Sequence, residues 1–104
     1  MELYAFKMFL NQGMMAEYKR RHNEIWPELT SVLTESGIQN YSIYLDPDSH
    51  VHFATLERRA DHTMMDLPSH PIMRRWWDHM KDLMRTHSDG EPVTIPLNEV
   101  FHMD

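Results

Sequence analysis

A chain of 104 residues with 41% hydrophobic content has the length of one domain, with room for a single core layer between a sheet and a pair of helices. Its formal charge of −6 and its one short basic cluster, Lys19-Arg20-Arg21, exclude nucleic acid as a natural partner, because phosphate binding needs clustered cations. The absence of cysteine excludes disulfides, thiolate zinc sites and thiol nucleophiles, and fits a cytoplasmic location.

Residues 3 to 10 alternate and are rich in aromatic and aliphatic side chains, which predicts a strand broken by Asn11-Gln12-Gly13. Glu2 and Lys7 in this segment argue against a signal peptide. No stretch reaches the ~18 consecutive apolar residues of a spanning helix, so a soluble protein without a membrane partner is expected. A helix is predicted from about residue 14 to 36, ending at Ser36-Gly37, where glycine can take the left-handed cap conformation. Pro27 should kink or restart that helix, since its ring clashes with the carbonyl of Asn23 and it has no N–H to donate.

Residues 39 to 45 and 51 to 57 read as two strands joined by the turn residues Asp46-Pro47-Asp48-Ser49-His50. A helical stretch beginning near Asp61 is interrupted by Pro68 and Pro71. It resumes with Ile72, Met73, Trp76, Trp77, Met80 and Leu83 at three- and four-residue spacing, started by Ser69 or His70. Residues 86 to 92 form a polar loop, and a last strand is predicted from about Ile95 to Phe101.

The order β-α-β-β-α-β is that of the ferredoxin-like α+β fold, a four-stranded antiparallel sheet with two helices on one face, here as one domain over residues 1 to 104. The first strand carries large side chains on both faces, with Tyr4, Phe6 and Met8 opposite Leu3, Ala5 and Phe9. A helix layer covers only one of those faces. The other calls for a second sheet, and a homodimer with sheets packed face to face is the simplest expectation.

Among candidate chemical groups, Tyr18 and His22 lie at i and i+4, where two helix residues can address one ligand together. They also sit on an apolar stripe with Met14, Ile25, Trp26 and Leu29, so the pattern alone equally describes a hydrogen-bonded core histidine. Adjacent Trp76 and Trp77 splay at about 100° per residue, so that one can pack in the core while the other lines a cavity and stacks on a sugar. Strand alternation puts Tyr41 with Ile43 and Leu45 on one face and Tyr44 with Ser42 on the other, so only one of the two tyrosines can share the pocket of His22. The eight histidines invite a metal reading, but no HExxH or carboxylate partner at ligand spacing accompanies them. His50 and His52 are placed on one strand face, His62, His70, His79 and His87 fall at irregular intervals, and all six are expected at the surface. No metal is expected.

The segments Tyr18-x-x-x-His22-Asn23-x-Ile25-Trp26-Pro27-Glu28-Leu29, Asn40-Tyr41-Ser42-Ile43-Tyr44-Leu45, Arg75-Trp76-Trp77 and Leu97-x-Glu99-Val100-Phe101 resemble, in order and nearly end to end, those of L-rhamnose mutarotases. The resemblance implies a dimeric α+β barrel protein that interconverts the anomers of L-rhamnose without a cofactor. By matching position it implies His22 as proton donor and Tyr18, Tyr41, Trp76 and Trp77 as sugar-binding residues. Histidine suits such a reaction, because its ordinary pKa of about 6.5 makes both protonation states available near neutrality. The alternatives are a small monooxygenase or isomerase of the wider dimeric α+β barrel group acting on an aromatic ligand, and a non-catalytic sugar-binding module.

Overall fold

Side-chain alternation in the first strand decides which way the sheet faces. In the computed structural model, which describes residues 1–104, β1 (Glu2–Phe9) turns Phe6 and Met8 into the core while Leu3 on the opposite face stays 54% exposed. The central partner β3 (Val51–Arg58) repeats this rule by burying His52, Ala54 and Leu56. With β2 (Ile38–Leu45) and β4 (Ile95–Pro96) the strands form one antiparallel sheet in the order β2-β3-β1-β4. The ferredoxin-like α+β arrangement expected from the element order is therefore the one observed. No helix is long and apolar enough to cross a membrane.

The first helical region departs from one long helix. It consists of α1 (Met15–Asn23) and α2 (Pro27–Glu35), separated by three non-helical residues, Glu24, Ile25 and Trp26. Trp26 is extended, with φ −69° and ψ 132°, because the residue before a proline is pushed out of the helical region. Pro27 then opens α2 at its first position, where a missing N–H costs nothing. The kink anticipated at Pro27 is thus a full break, and it buries Leu29 beside Met73, Trp76 and Met80 of α3 (Pro71–Met80).

Two more boundaries shift. The second helical region does not begin at Asp61: a 3₁₀ turn covers Met64–Ser69, and α3 starts after His70, whose Nδ1 accepts from the Ile72 N–H at 3.2 Å. The last strand does not run to Phe101. Ile95 and Pro96 pair with Lys7 and Phe6, the Leu97 N–H donates to the Ala5 carbonyl, and the chain then leaves the sheet. Pro96 cannot donate to a ladder, which limits this edge strand.

A bulge in β2 sets the inner face. Gln39 pairs with Glu57 but Ser42 with Thr55, so three steps on β2 oppose two on β3, and Asn40 takes φ +50° to accommodate the extra residue. Even-numbered Ile38 and odd-numbered Tyr41, Ile43 and Leu45 therefore all reach the helical side. On the outer side Tyr44, Phe53, Leu3 and Ile95 remain exposed.

Gly37 closes α2 at φ +97°, and a Cβ there would lie 3.1 Å from the Cα and Cβ of His62. Gly37→Ala is expected to lower the unfolding free energy by about 1–3 kcal/mol in urea titrations. Gly13→Ala, where φ is +80° but nothing lies within 4 Å, should cost less. Equal costs would show that the approach to His62 adds nothing.

Candidate active site

One helical turn separates Tyr18 from His22, and their rings meet with centroids 4.3 Å apart. The Nδ1 of His22 lies 3.1 Å from the Tyr18 carbonyl oxygen. A carbonyl can only accept, so the proton of that bond belongs to Nδ1, and Nε2 is the atom left for a ligand. Burial lowers the pKa of His22 from its ordinary value, and this outweighs the opposing effect of the Tyr18 carbonyl, which favours the cation.

From the sheet, β3 raises His52 under the same tyrosine, with ring centroids 4.4 Å apart. Tyr18 is thus in contact with two imidazoles. His52 is not the surface residue that the sequence suggested: it is 1% exposed, and neither ring nitrogen has a hydrogen-bond partner. Burial, and secondarily the proximity of His22, pushes its pKa down to about 4. Nor do His50 and His52 share a strand face, since His50 lies in the hairpin loop at φ +61°. The signal that locates His52 was present in the sequence. It shares strand parity with Ala54 and Leu56, both apolar, and that face is the one that faces the helices.

Of the two tyrosines in β2, Tyr41 lies on the helical side of the sheet and Tyr44 does not. Tyr44 is on the outer face, whereas Tyr41 meets Phe6 edge-on at 6.4 Å and affects the ionisation of Tyr18. Tyr41 as a residue is 39% exposed, while desolvation of its phenol pushes the pKa up to about 12. Burial, and then the proximity of Tyr41, raises Tyr18 still further. Both phenols are neutral hydrogen-bonding groups across the physiological range.

The paired tryptophans do splay. Trp76 is 5% exposed and stands perpendicular to His22 at 5.4 Å and nearly perpendicular to Trp26 at 5.1 Å. Trp77 is half-buried at the edge of the core, with the Arg74 guanidinium 5.3 Å from its ring centroid. The structure therefore links Tyr18, His22 and Trp76 by ring contacts, with Tyr41 close enough to influence Tyr18 and in ring contact with Phe6, while Trp77 stays outside this chain of contacts. Sequence reasoning placed Trp26 only on an apolar stripe. The break before Pro27 turns it back against Trp76. Surface depressions lined by Thr30, Ser31, Thr34 and Glu35, and by Met1, Glu2, Arg59, Ala60 and His62, contain none of these rings.

Such a cluster offers an imidazole Nε2 in a desolvated aromatic setting, flanked by neutral phenols: a site for proton transfer to and from an uncharged polar ligand. The comparisons agree in kind. A family model described as L-rhamnose mutarotase matches residues 3–103. An L-rhamnose mutarotase of Jannaschia sp. (strain CCS1) is 55% identical over 103 residues, covering 99% of each chain. One from Verminephrobacter eiseniae (strain EF01-2) is 56% identical, covering 99% of this chain and 97% of its own. The crystal structure of an L-rhamnose mutarotase from Formosa agariphila superposes with a TM-score of 0.94 at 41% identity, covering all of both chains.

The buried His52 carries a pH signature of its own. Folded, it stays neutral down to about pH 4, whereas unfolded it titrates near the ordinary value of about 6.5. Between these values the unfolded chain binds more protons, so this contribution to stability is full above about pH 6.5 and is lost as pH falls toward 4. The loss expected is up to ~3 kcal/mol. Urea titrations of the wild type and His52→Leu at about pH 4.5 and 7.5 check this: the variant should lose less stability on acidification, and identical losses would remove His52 as the cause.

Proposed function

The chain belongs to the L-rhamnose mutarotase family, and on that premise we propose that it interconverts the α and β anomers of L-rhamnose by acid–base ring opening and reclosure, with His22 as proton donor and no cofactor. The observation that carries this reading is the orientation of His22, whose Nδ1 is tied to the Tyr18 carbonyl so that Nε2 is free beside Tyr18 and Trp76.

The reaction follows from these groups. Nε2–H of protonated His22 donates to the ring oxygen O5 while the anomeric hydroxyl loses its proton, and the C1–O5 bond breaks to give the open aldehyde. Rotation about C1–C2 presents the other face of the carbonyl, and reclosure returns both protons. A cation in a desolvated site is a stronger acid than one in water, which is what donation to a weakly basic ether oxygen requires. Tyr18 and Tyr41, neutral at working pH, are assigned to sugar hydroxyls. Trp76, in contact with the donor, and Trp77 at the rim are assigned to the apolar C–H face and the 6-methyl group of the sugar. Discrimination by such a wall is modest, ~1–3 kcal/mol, so slow action on related aldoses is expected.

The outer sheet face supports a second proposal, a homodimer with the sheets packed face to face. Leu3, Tyr44, Phe53 and Ile95 are exposed together on that face, where no helix of the chain covers them.

His22→Ala should slow anomer exchange by ~10²- to 10⁴-fold in magnetisation-transfer NMR of L-rhamnose. Full retained activity would remove His22 from the donor role. In the wild type, kcat/KM should fall as pH rises through the lowered pKa of His22, with a midpoint below about 6.5, because the donor form is the protonated one. Phe53→Glu should shift the protein toward monomer in sedimentation velocity, and an unchanged profile would place any association elsewhere.

A further inference from the structure

Ring opening needs a proton acceptor as well as a donor, and no carboxylate belongs to the ring cluster. Glu17, Asp78 and Asp82 are engaged in ion pairs with Arg20, Arg21 and Lys81. Tyr18 cannot serve as a base on its own, since burial opposes its phenolate. His22 holds the donor position. His79 lies behind Trp76 and Trp26, at 5.6 and 5.5 Å from their rings.

His52 is the base that remains. Its ring lies against Tyr18 on the side of the sheet, 1% exposed, with both nitrogens unpartnered. The residues across the ladder are Met8 and Leu45, neither of them charged, and the titratable groups near it are Tyr18 and His22 of α1. A leucine would fill this apolar position without leaving two polar atoms unsatisfied, so the imidazole costs stability and gains no structural bond. Polar groups kept at such a cost are found where function needs them.

Resting on the mutarotase reading, we propose that His52 is a positioning residue that acts through Tyr18 as the accepting arm of the reaction, so that two imidazoles on either side of one phenol share a single proton. At rest the two rings touch without a hydrogen bond; with sugar bound, the Tyr18 oxygen closes on a His52 nitrogen, the anomeric hydroxyl passes its proton to that oxygen as Tyr18 passes its own to His52, and His22 donates to O5. The C1–O5 bond breaks and the C1=O bond forms from the O–H electron pair. The charge has moved from His22 to His52, and reclosure reverses each transfer. Mutual repulsion between the imidazoles disfavours protonating both, while loss of the His22 proton makes His52 a better acceptor.

The test is anomer exchange by magnetisation-transfer NMR on the full chain, comparing wild type with His52→Phe and His52→Gln. Phenylalanine keeps a flat ring under Tyr18 and removes both nitrogens. Glutamine keeps hydrogen bonding but cannot take a proton, and covers the case in which phenylalanine does not fit. Affinity is read separately by tryptophan fluorescence with methyl α-L-rhamnopyranoside, which cannot open. Both variants are expected to lose about tenfold or more in kcat with analogue affinity within about twofold. The decline of wild-type kcat toward about pH 4 should be absent in them. Retention of kcat within about twofold by either variant would overturn the assignment. No exchange by the wild type would overturn the mutarotase reading itself, and this assignment with it.

Discussion

Pro27 is the constraint on which the site depends. A continuous helix through residue 27 would lack one backbone bond and force the proline ring against the Asn23 carbonyl, a cost of ~3 kcal/mol or more. The chain avoids this by ending α1 at Asn23 and restarting at Pro27. Three consequences follow from the one break. His22 falls in the last turn of α1, where backbone carbonyls stabilise positive charge. Trp26, held extended before the proline, packs its indole against Trp76 instead of pointing along the helix axis. Leu29 enters the core from a helix free to take its own direction.

The electrostatics of the cluster are a contest that desolvation wins at every ionisable group. The helix terminus and the Tyr18 carbonyl favour the His22 cation, yet its pKa is lowered. His52 has no compensating bond and is lowered further, while both tyrosines are raised. Desolvation therefore favours the neutral form of each group, which suits a neutral sugar: no carboxylate or fixed cation has to be neutralised when water is displaced. The same environment makes each transient charge short-lived, so that protons given to it are readily given back.

The strands, the hairpin and the α+β order were legible because alternation and turn residues are local signals, and each is read correctly from a window of a few residues. The Tyr18/His22 pair was legible for the same reason, being fixed by i,i+4 spacing. What escaped was set by register and by direction across the break. The bulge at Asn40 reverses parity within β2, and composition gives no clear sign of it. Pro27 was visible, but not that its neighbour Trp26 would turn onto a tryptophan fifty residues later. His52 escaped because a titratable ring reads as exposed, although its parity with Ala54 and Leu56 places it on the buried face. The end of β4 was overestimated because Leu97, Val100 and Phe101 look like strand residues, although after Pro96 only the Leu97 N–H reaches β1.

A site built from two helices that are distant in sequence needs something to hold them in register, and the side chain of Arg21 supplies it. Its guanidinium meets both oxygens of Asp82, at 2.8 and 3.2 Å, and also donates to the His79 carbonyl at 2.6 Å and to Glu17 at 2.8 Å. Only 14% of this side chain is exposed, in contrast to the preceding Arg20, which is 58% exposed and pairs with its sequence neighbours Glu17 and Glu24. Ion pairs of the Arg20 kind contribute little in water. The Arg21 fork differs in consequence, because it reaches from α1 to the His79 carbonyl in the last turn of α3 and to Asp82 just beyond it, and its planar geometry fixes direction as well as distance. It ties the residue before His22 to the helix that carries Trp76. Lysine at this position would keep the charge but give up the fork, and with it the fixed spacing between His22 and the indole beside it.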